Sequence, residues 1–383
     1  MIITSDTALA PIVARLRAEG IAALDTEFVW NRTYFPRLGI VQLAAADGTA
    51  WVADAAAAGA ALAALLADQD TIKILHDAHQ DLTLLASVTG ATPHRIFDTR
   101  LAAGFAGLPK TISLQQALRE LLDINLPKTE TRTDWCRRPL SAAQIEYALD
   151  DVRYLGRLRT ALLARADERG ATAWLEEELR LYDDPAYYAP PDPEAAWQRV
   201  RGSSRLAPHD HEVLRQLAAQ RERRAMQWNL PRNWVIDDES LIDIAMRRPA
   251  SPEAVHPRHR LDRQRIRTLC GELCGIVREA AKVPVPRATR RPDGRRDSSL
   301  KARVDDALDF LHRRAGELRI DAALLGSRAE VTAFVEAGPG PEHPLGRGWR
   351  REVAGEALAA RLASAASRPP ELFNHQHPSQ GRA

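Results

Sequence analysis

The spacing of apolar positions divides the first half of the chain into alternating helices and strands. Residues 6–19 repeat apolar side chains at helical spacing, and residues 21–28 follow as a buried strand. The dipeptide Asp47-Gly48 between two apolar runs is typical of a hairpin. The remaining elements predicted in this region are strands at 40–45, 51–53, 71–75 and 96–97 and helices at 55–66 and 82–88. This order predicts an α/β fold, a mixed sheet covered by helices on both faces.

Proline-rich stretches divide the rest of the chain. Helical periodicity dominates residues 113–182 and returns after each break. We therefore predict a first domain at 1–182, a proline-rich linker at 183–205, a helical domain at 206–281, a basic linker at 282–299, a second helical domain at 300–368 and a disordered tail at 369–383.

A short repeat links the two helical domains. Arg223-Arg224-Ala225 precedes Leu230 by the same spacing as Arg313-Arg314-Ala315 precedes Ile320. A polar cap and a short helix are predicted after both. The pattern indicates a duplicated helical module.

Composition favours a protein of the reducing cytosol. Three scattered cysteines in 383 residues are too few for a disulfide framework, and the start of the chain lacks the basic residues of a signal peptide. The longest apolar run, about thirteen residues, is too short to span a bilayer. We expect a cytoplasmic protein without a membrane partner.

Charge differs between the two parts of the chain. Residues 1–200 hold 20 Lys and Arg against 27 Asp and Glu, and the remainder holds 33 against 24, for a net charge of +2. An acidic first part is consistent with a metal site, and a basic second part with a polyanionic partner. A solvated arginine-rich surface explains the basic part equally well.

Two carboxylates interrupt the first long strand. Asp25 and Glu27 lie two residues apart, so a strand directs both side chains to the same face. Buried together they repel, which requires a raised pKa, a counter-charge or a divalent metal. Exposure at a sheet edge is the alternative.

A third carboxylate follows the 71–75 strand. Asp81 falls in the first turn of the next predicted helix, where the helix dipole favours an anion. A plain helix cap is one alternative. A second alternative groups Asp81 with His76 and His79 as a transition-metal site, although no further histidine cluster completes it.

The fourth carboxylate lies on a helix that begins at Ser141. Ser141 and Gln144 form a capping box, which predicts a helix running at least to residue 158. Tyr147 and Asp151 are four residues apart and share one face. Asp150 is the rival, and we favour Asp151 because it falls on the stripe expected to face the sheet.

Together these residues resemble the three motifs of the DEDDy exonucleases. The motifs are Asp25-Thr26-Glu27, the stretch from His76 to Asp81, and Tyr147 with Asp151. The resemblance extends to the ribonuclease D family through residues 24–28, 33–36, 40–43, 132–135 and 138–140, and through two modules similar to HRDC domains, the second ending near residues 348–352. It implies a ribonuclease H-like sheet followed by two small all-α HRDC-type domains.

The resemblance also implies an activity and a cofactor. The expected activity is a 3′–5′ exoribonuclease that releases 5′-mononucleotides, with tRNA 3′ maturation as the expected task. Asp25, Glu27, Asp81 and Asp151 would hold two divalent cations, Mg²⁺ or Mn²⁺, because all the ligands are oxygen atoms. Tyr147 would orient the attacking water.

Substrate contacts are expected beside this cluster. The loop before residue 141 combines phosphate-seeking charge with an aromatic ring, in Lys128, Arg132, Trp135, Arg137 and Arg138. Salt bridges to Asp134 and Glu130 that fix the loop are the alternative. Thr26 and Phe28 are further candidates for contact with the 3′ nucleotide, with Phe28 also a candidate core residue.

Two other functions stay open from the residues alone. Nothing in the acidic motifs recognises a 2′-hydroxyl, so an exonuclease acting on DNA has the same pattern. A non-catalytic RNA-binding protein on the same fold is the second alternative. RNA is the expected partner, and the protein is expected to be a monomer.

Overall fold

A computed structural model of the chain describes residues 2–126, 133–203, 206–280 and 294–366. It divides into two compact units, each discontinuous in sequence. The first comprises Met1–Arg100, Ser113–Leu162 and Glu178–Arg291, and the second comprises Leu101–Ile112, Leu163–Glu177 and Pro292–Ala383. No helix among the described residues combines the length and apolar character needed to cross a bilayer.

A six-stranded mixed sheet forms the centre of the first unit. Its strands are β1 (Ile2–Ile3), β2 (Ile21–Val29), β3 (Arg37–Ala44), β4 (Ala50–Asp54), β5 (Ile72–Leu75) and β6 (Ile96–Asp98). The spatial order is β1-β4-β3-β2-β5-β6. β2 pairs antiparallel with β3 and parallel with β5, so the strand that carries Asp25 and Glu27 is internal. The edge-strand alternative is therefore wrong, and the predicted mixed α/β fold is confirmed.

Residues 2–126 and 133–203 contain eight helices. They are α1 (Asp6–Glu19), α2 (Ala60–Ala67), α3 (His79–Thr89), α4 (Thr99–Phe105), α5 (Leu114–Leu122), α6 (Ala142–Arg153), α7 (Leu155–Asp167) and α8 (Thr172–Leu179). The capping box of Ser141 and Gln144 is present at the start of α6.

Two predicted helices are shorter than expected. The helix predicted at 55–66 is a 3-10 turn at Ala55–Ala57 followed by α2. Gly59 caps α2 where a Cβ atom would lie 2.8 Å from the Asp6 carboxyl carbon, and the Asp6 side chain accepts from the backbone of Ala61. The helix from Ser141 ends at Arg153, Tyr154 forms its C-cap, and α7 begins at the next residue.

The predicted proline-rich linker is ordered where it is described. It forms 3-10 turns at Arg180–Asp183, Pro185–Tyr188 and Pro193–Arg199. Ala196 and Val200 are buried in the core of the helical domain that follows. This segment is therefore part of the packed structure.

That helical domain belongs to the first unit. Its helices are α9 (Pro208–Trp228), α10 (Arg232–Val235), α11 (Asp238–Arg247) and α12 (Arg263–Ala280). Tyr34, from the irregular stretch after β2, is buried in its core. The Tyr34 hydroxyl donates to Glu222 at 2.5 Å, and the side chain of Asn229 accepts from the backbone of Tyr34 and Phe35. These contacts fix the helical domain to the sheet region.

The second unit contains the C-terminal helices. They are α13 (Gly294–Leu318), α14 (Arg328–Ala337), α15 (Gly348–Arg350) and α16 (Glu356–Ala366). Trp349 is buried between the rings of Phe105 and Trp174 at 5.2 and 5.5 Å. Part of the predicted basic linker and the predicted tail at 369–383 lie outside the described residues.

The sequence repeat has a matching backbone structure in both modules. Leu230 donates its backbone N–H to Ala225 at 3.0 Å, and Ile320 donates to Ala315 at 3.1 Å. The residue before each donor, Asn229 or Arg319, has a positive φ. The two modules thus end the helix that carries the repeated tripeptide in the same way.

Candidate active site

The internal strand β2 presents two carboxylates to one cavity. Asp25 lies opposite Gln42 on β3, and the Gln42 side-chain amide is 3.5 Å from the Asp25 carboxylate. The register of β2 on β3 shifts between Glu27 and Phe28. Because the residues alternate, Leu24 lies in the core while Asp25 and Glu27 face the cavity.

Asp81 enters the same cavity from the first turn of α3. Only 8% of the residue is exposed, and its carboxylate accepts a hydrogen bond from the hydroxyl of Thr26. The predicted position at the start of a helix is confirmed. The hydroxyl of Thr26 therefore connects β2 to the turn that carries Asp81.

A buried carboxylate that the sequence analysis missed supports this turn. Asp98, at the end of β6, accepts from the backbone of Asp77 at 3.0 Å and of Ala78 at 3.1 Å. Tyr182 donates its hydroxyl to the same carboxylate at 2.7 Å. Asp77 has a φ of 64°, in the left-handed region, so its turn depends on such contacts. The adjacency of β5 and β6 is the signal that places Asp98 here.

The helix α6 contributes Tyr147 and Asp151. Both side chains line the cavity, four residues apart on one face of α6. Asp150, one residue earlier on α6, pairs its carboxylate with Arg153 at 2.6 Å instead. The preference for Asp151 over Asp150 therefore agrees with the geometry.

Three of the carboxylates lie close enough to bind one ion. One oxygen each from Asp25, Glu27 and Asp151 lies within 4.8 Å of the other two. The surrounding cavity has a volume of about 320 Å³, and Asp81 and Tyr147 also line it. The structure thus brings together all five residues that the sequence predicts.

Burial raises the pKa of every carboxylate in this cluster. For Asp25 the pKa lies well above its ordinary value, first because of burial and then because of the charges of Asp81 and Asp151. The pKa rises to about 8 for Glu27, to about 7 for Asp151 and to about 6 for Asp81, with burial the largest cause in each case. Burial and the neighbouring carboxylates also raise the pKa of the Tyr147 phenol.

The cluster has the properties of a cation site. Within the described ranges, none of its four carboxylates has an arginine or lysine ion-pair partner, whereas the buried carboxylates of Asp210 and Glu222 both pair with arginine. All donors are oxygen atoms, which suits a hard divalent cation. The alternative histidine site is not formed, because among the described residues the side chains of His76, His79 and Asp81 do not bring their ligand atoms within 4.8 Å of one another.

Two predicted substrate contacts find little support in the structure. Trp135 is only 4% exposed and packs in a small core with Ile40 and Ala148, so its ring offers no face to a base. Arg138 pairs with Asp54 at 2.6 Å and donates to the backbone of Gly39 and Trp135. The alternative prediction, a loop fixed by salt bridges, fits Arg138 better, although its partner is Asp54, whereas the sequence predicts Asp134 and Glu130.

The other predicted contacts have mixed outcomes. Lys128 and Arg132 lie outside the described residues. Phe28 is partly buried and lines the cavity. Thr26 also lines it, but its hydroxyl is already bound to Asp81.

Comparison with known families identifies two regions of this chain. A family described as 3′-5′ exonuclease matches residues 1–167, and a family described as HRDC domain matches residues 210–277. Both matches fall inside domains predicted from the sequence.

Curated relatives match almost the full chain. Ribonuclease D of Desulfotalea psychrophila is 38% identical over 362 residues, covering 92% of this chain and 95% of the relative. Ribonuclease D of Pseudomonas paraeruginosa is 34% identical and covers 95% and 97%. Among solved structures, Escherichia coli RNase D, described as an exoribonuclease involved in structured RNA processing, is similar with a TM-score of 0.81 and 29% identity over 96% of this chain and 99% of that one.

Proposed function

The chain belongs to the ribonuclease D family, and we propose that it is a metal-dependent 3′–5′ exoribonuclease that releases 5′-mononucleotides from RNA. The observation that carries the proposal is the cluster of Asp25, Glu27 and Asp151 oxygens within 4.8 Å, with Asp81 in the same cavity. The curated relatives and the Escherichia coli enzyme support the reaction class.

Each carboxylate has a role that its position supports. Asp25, Glu27 and Asp151 would hold one divalent ion together, and Asp81 would contribute to a second. Divalent ions at this site would supply a nucleophile near neutral pH and stabilise charge on the attacking and leaving oxygens. Mg²⁺ and Mn²⁺ both suit a site made of oxygen donors.

Tyr147 acts as a hydrogen-bond donor in this proposal. Its raised pKa keeps the phenol protonated at neutral pH, so it cannot serve as a strong base. Its side chain lines the carboxylate cavity together with Asp151, where the hydroxyl can orient the attacking water.

The helical domains extend the binding surface in this proposal. Tyr34 fixes the first of them beside the carboxylate cavity, through Glu222 and Asn229. We propose that the second module is also HRDC-like, because its repeated tripeptide ends a helix with the same backbone bond. Structured RNA with a 3′ extension, such as a tRNA precursor, is the proposed substrate.

Product analysis on a labelled, 3′-extended tRNA tests this function. With Mg²⁺ or Mn²⁺ we expect stepwise loss of nucleotides from the 3′ end, release of 5′-mononucleotides and no activity in EDTA. A matched DNA strand is expected to be a poorer substrate. Equal rates on the two strands would favour a general exonuclease, and metal-independent binding without any mononucleotide product would favour a non-catalytic RNA-binding protein.

A further inference from the structure

A groove of about 630 Å³ adjoins the carboxylate cavity. The groove and the cavity share Phe28 and Gln80 in their linings, so they are adjacent. The walls of the groove come from the end of β2 and the residues after it, from α3, and from the connector near Tyr187. All of these segments belong to the first unit.

Exposed aromatic rings are concentrated in this groove. Within the described ranges, three aromatic residues have large exposed apolar surfaces, and all three line the groove: Trp30 at 53%, Phe35 at 40% and Tyr187 at 37% exposure. Contacts behind the rings hold them in place. The Trp30 indole donates to the carbonyl of Tyr34 at 2.8 Å, and the Phe35 ring packs edge-on against Tyr34 at 4.9 Å.

The charge of the groove is opposite to that of the cavity. Of the residues described, none that lines the groove is acidic, although the adjoining cavity holds four carboxylates. Arg199 and Arg232 line it as well. Both pair with Glu222, whose side chain is fully buried, so two cations face one inaccessible anion and the group keeps a net positive charge.

We propose that this groove binds the single-stranded RNA that precedes the 3′-terminal nucleotide. Bases would stack on the exposed rings of Trp30, Phe35 and Tyr187, and phosphates would lie near the arginines. Stacking platforms beside a positive surface are the common means of holding a single strand without reading its sequence. The proposal rests on the exoribonuclease function, since it places the 3′ end at the carboxylates.

A proline-rich peptide is the competing occupant of an aromatic groove. Two observations favour RNA. The groove lies directly beside the carboxylate cavity, which a docked peptide does not require, and its cationic end complements phosphates. A peptide site would also leave hydrolysis independent of RNA length.

The test compares substrates of two lengths in the full chain. Release of the first nucleotide is measured for a two-nucleotide and an eight-nucleotide RNA with the same 3′ end. Trp30→Ala should lower kcat/KM for the longer RNA about tenfold more than for the shorter one, the scale of one lost stacking contact. Trp30→Phe should restore most of the length preference.

Trp51→Ala is the matched control. Trp51 is a partly buried tryptophan on β4 that packs on Arg15 and does not line the groove. The Trp51→Ala variant should leave the preference for the longer RNA unchanged. Thermal unfolding of each variant checks that the fold is intact. The proposal would be overturned if Trp30→Ala left the ratio of kcat/KM for the longer RNA to that for the shorter RNA unchanged. This holds whether neither rate falls or both fall equally.

A binding measurement separates this proposal from the catalytic one. The affinity for the eight-nucleotide RNA is measured in EDTA, where no hydrolysis is expected. Here too Trp30→Ala should bind about tenfold more weakly than Trp51→Ala. If wild-type protein releases no nucleotide but this difference appears, the exoribonuclease function fails and the groove stands; if the affinities are equal, the groove proposal fails.

Discussion

The hydroxyl of Thr26 donates a hydrogen bond to the carboxylate of Asp81 and so connects the central strand to the first turn of α3. Both residues are almost fully buried. The bond lowers the pKa of Asp81 and opposes the effect of burial. Thr26 therefore acts on the cavity through the Asp81 carboxylate. Its position in the sequence predicts a direct contact with the substrate.

Thr26→Val should weaken metal binding while keeping the shape of the side chain. Without the hydroxyl, the ionised Asp81 carboxylate loses a hydrogen-bond donor. We expect the metal concentration for half-maximal activity to rise by about 10- to 100-fold, the usual effect of removing a group that orients a ligand. Thr26→Ser keeps the hydroxyl and should stay close to wild type. Identical metal titrations for the valine and serine variants would contradict this role.

Tyr147→Phe should slow the reaction without changing the metal requirement. The variant keeps the ring that packs near Trp135 and removes the donor, so we expect kcat to fall about 100-fold. Because the phenol pKa is raised, the wild-type rate should show no ionisation of Tyr147 below a pH of about 10. The pH profiles of kcat for both proteins measure this. A Tyr147→Phe enzyme with full kcat would exclude the proposed donor.

The metal-free protein should lose stability as pH rises. Folded Glu27 has a pKa of about 8 and Asp151 of about 7, above the value of roughly 4 expected when unfolded. At pH values between the unfolded and the folded pKa, the folded state binds more protons than the unfolded state. The free energy of unfolding therefore falls as the pH rises through this range. Thermal unfolding in EDTA from pH 4 to 9 measures the slope.

Two comparisons assign that slope to the cluster. Glu27→Gln should reduce it, because one raised pKa is removed. Mg²⁺ or Mn²⁺ should raise the unfolding temperature more at pH 8 than at pH 5, where protons compete for the same oxygens. A metal effect of equal size at both pH values would count against the carboxylates as ligands.

Asp98→Asn should impair metal binding from outside the cavity. Its two carboxylate oxygens accept from the backbone of Asp77 and Ala78, the turn before α3, and the side-chain nitrogen that replaces one oxygen in asparagine is a donor and accepts neither. We expect activity to require about 10- to 100-fold more metal. Tyr182→Phe removes one donor and keeps the carboxylate, so its effect should be smaller. A stability loss in Asp98→Asn with an unchanged metal titration would reduce Asp98 to a structural role.

Local patterns were sufficient to predict five of the six strands, the start of α6 and the positions of the four carboxylates, but not the short strand β1. Each depends on neighbours in sequence, such as the alternation around Asp25 or the capping box at Ser141. The pattern did not show that Gly59 would split the helix predicted at 55–66.

The failures concern contacts between residues far apart in sequence. Arg138 finds Asp54, and Trp135 is covered by Ile40, after the loop folds against β3 and β4. Tyr34 inserts into a helical domain whose Glu222 lies 188 residues away. No periodicity within a short window contains these partners, so a charged or aromatic loop residue looked available for substrate when it was already bound.

The most direct test of the carboxylate site replaces one charge at a time in neighbouring positions. Asp25→Asn and Asp151→Asn should each reduce mononucleotide release from labelled RNA by about 1,000-fold, as expected when a central charge at the reacting phosphate is lost. Asp150→Asn removes the same charge one residue away, where Arg153 already compensates it, and should retain activity within several-fold. Full activity in Asp151→Asn, or equal losses in the Asp150 and Asp151 variants, would contradict the proposed site.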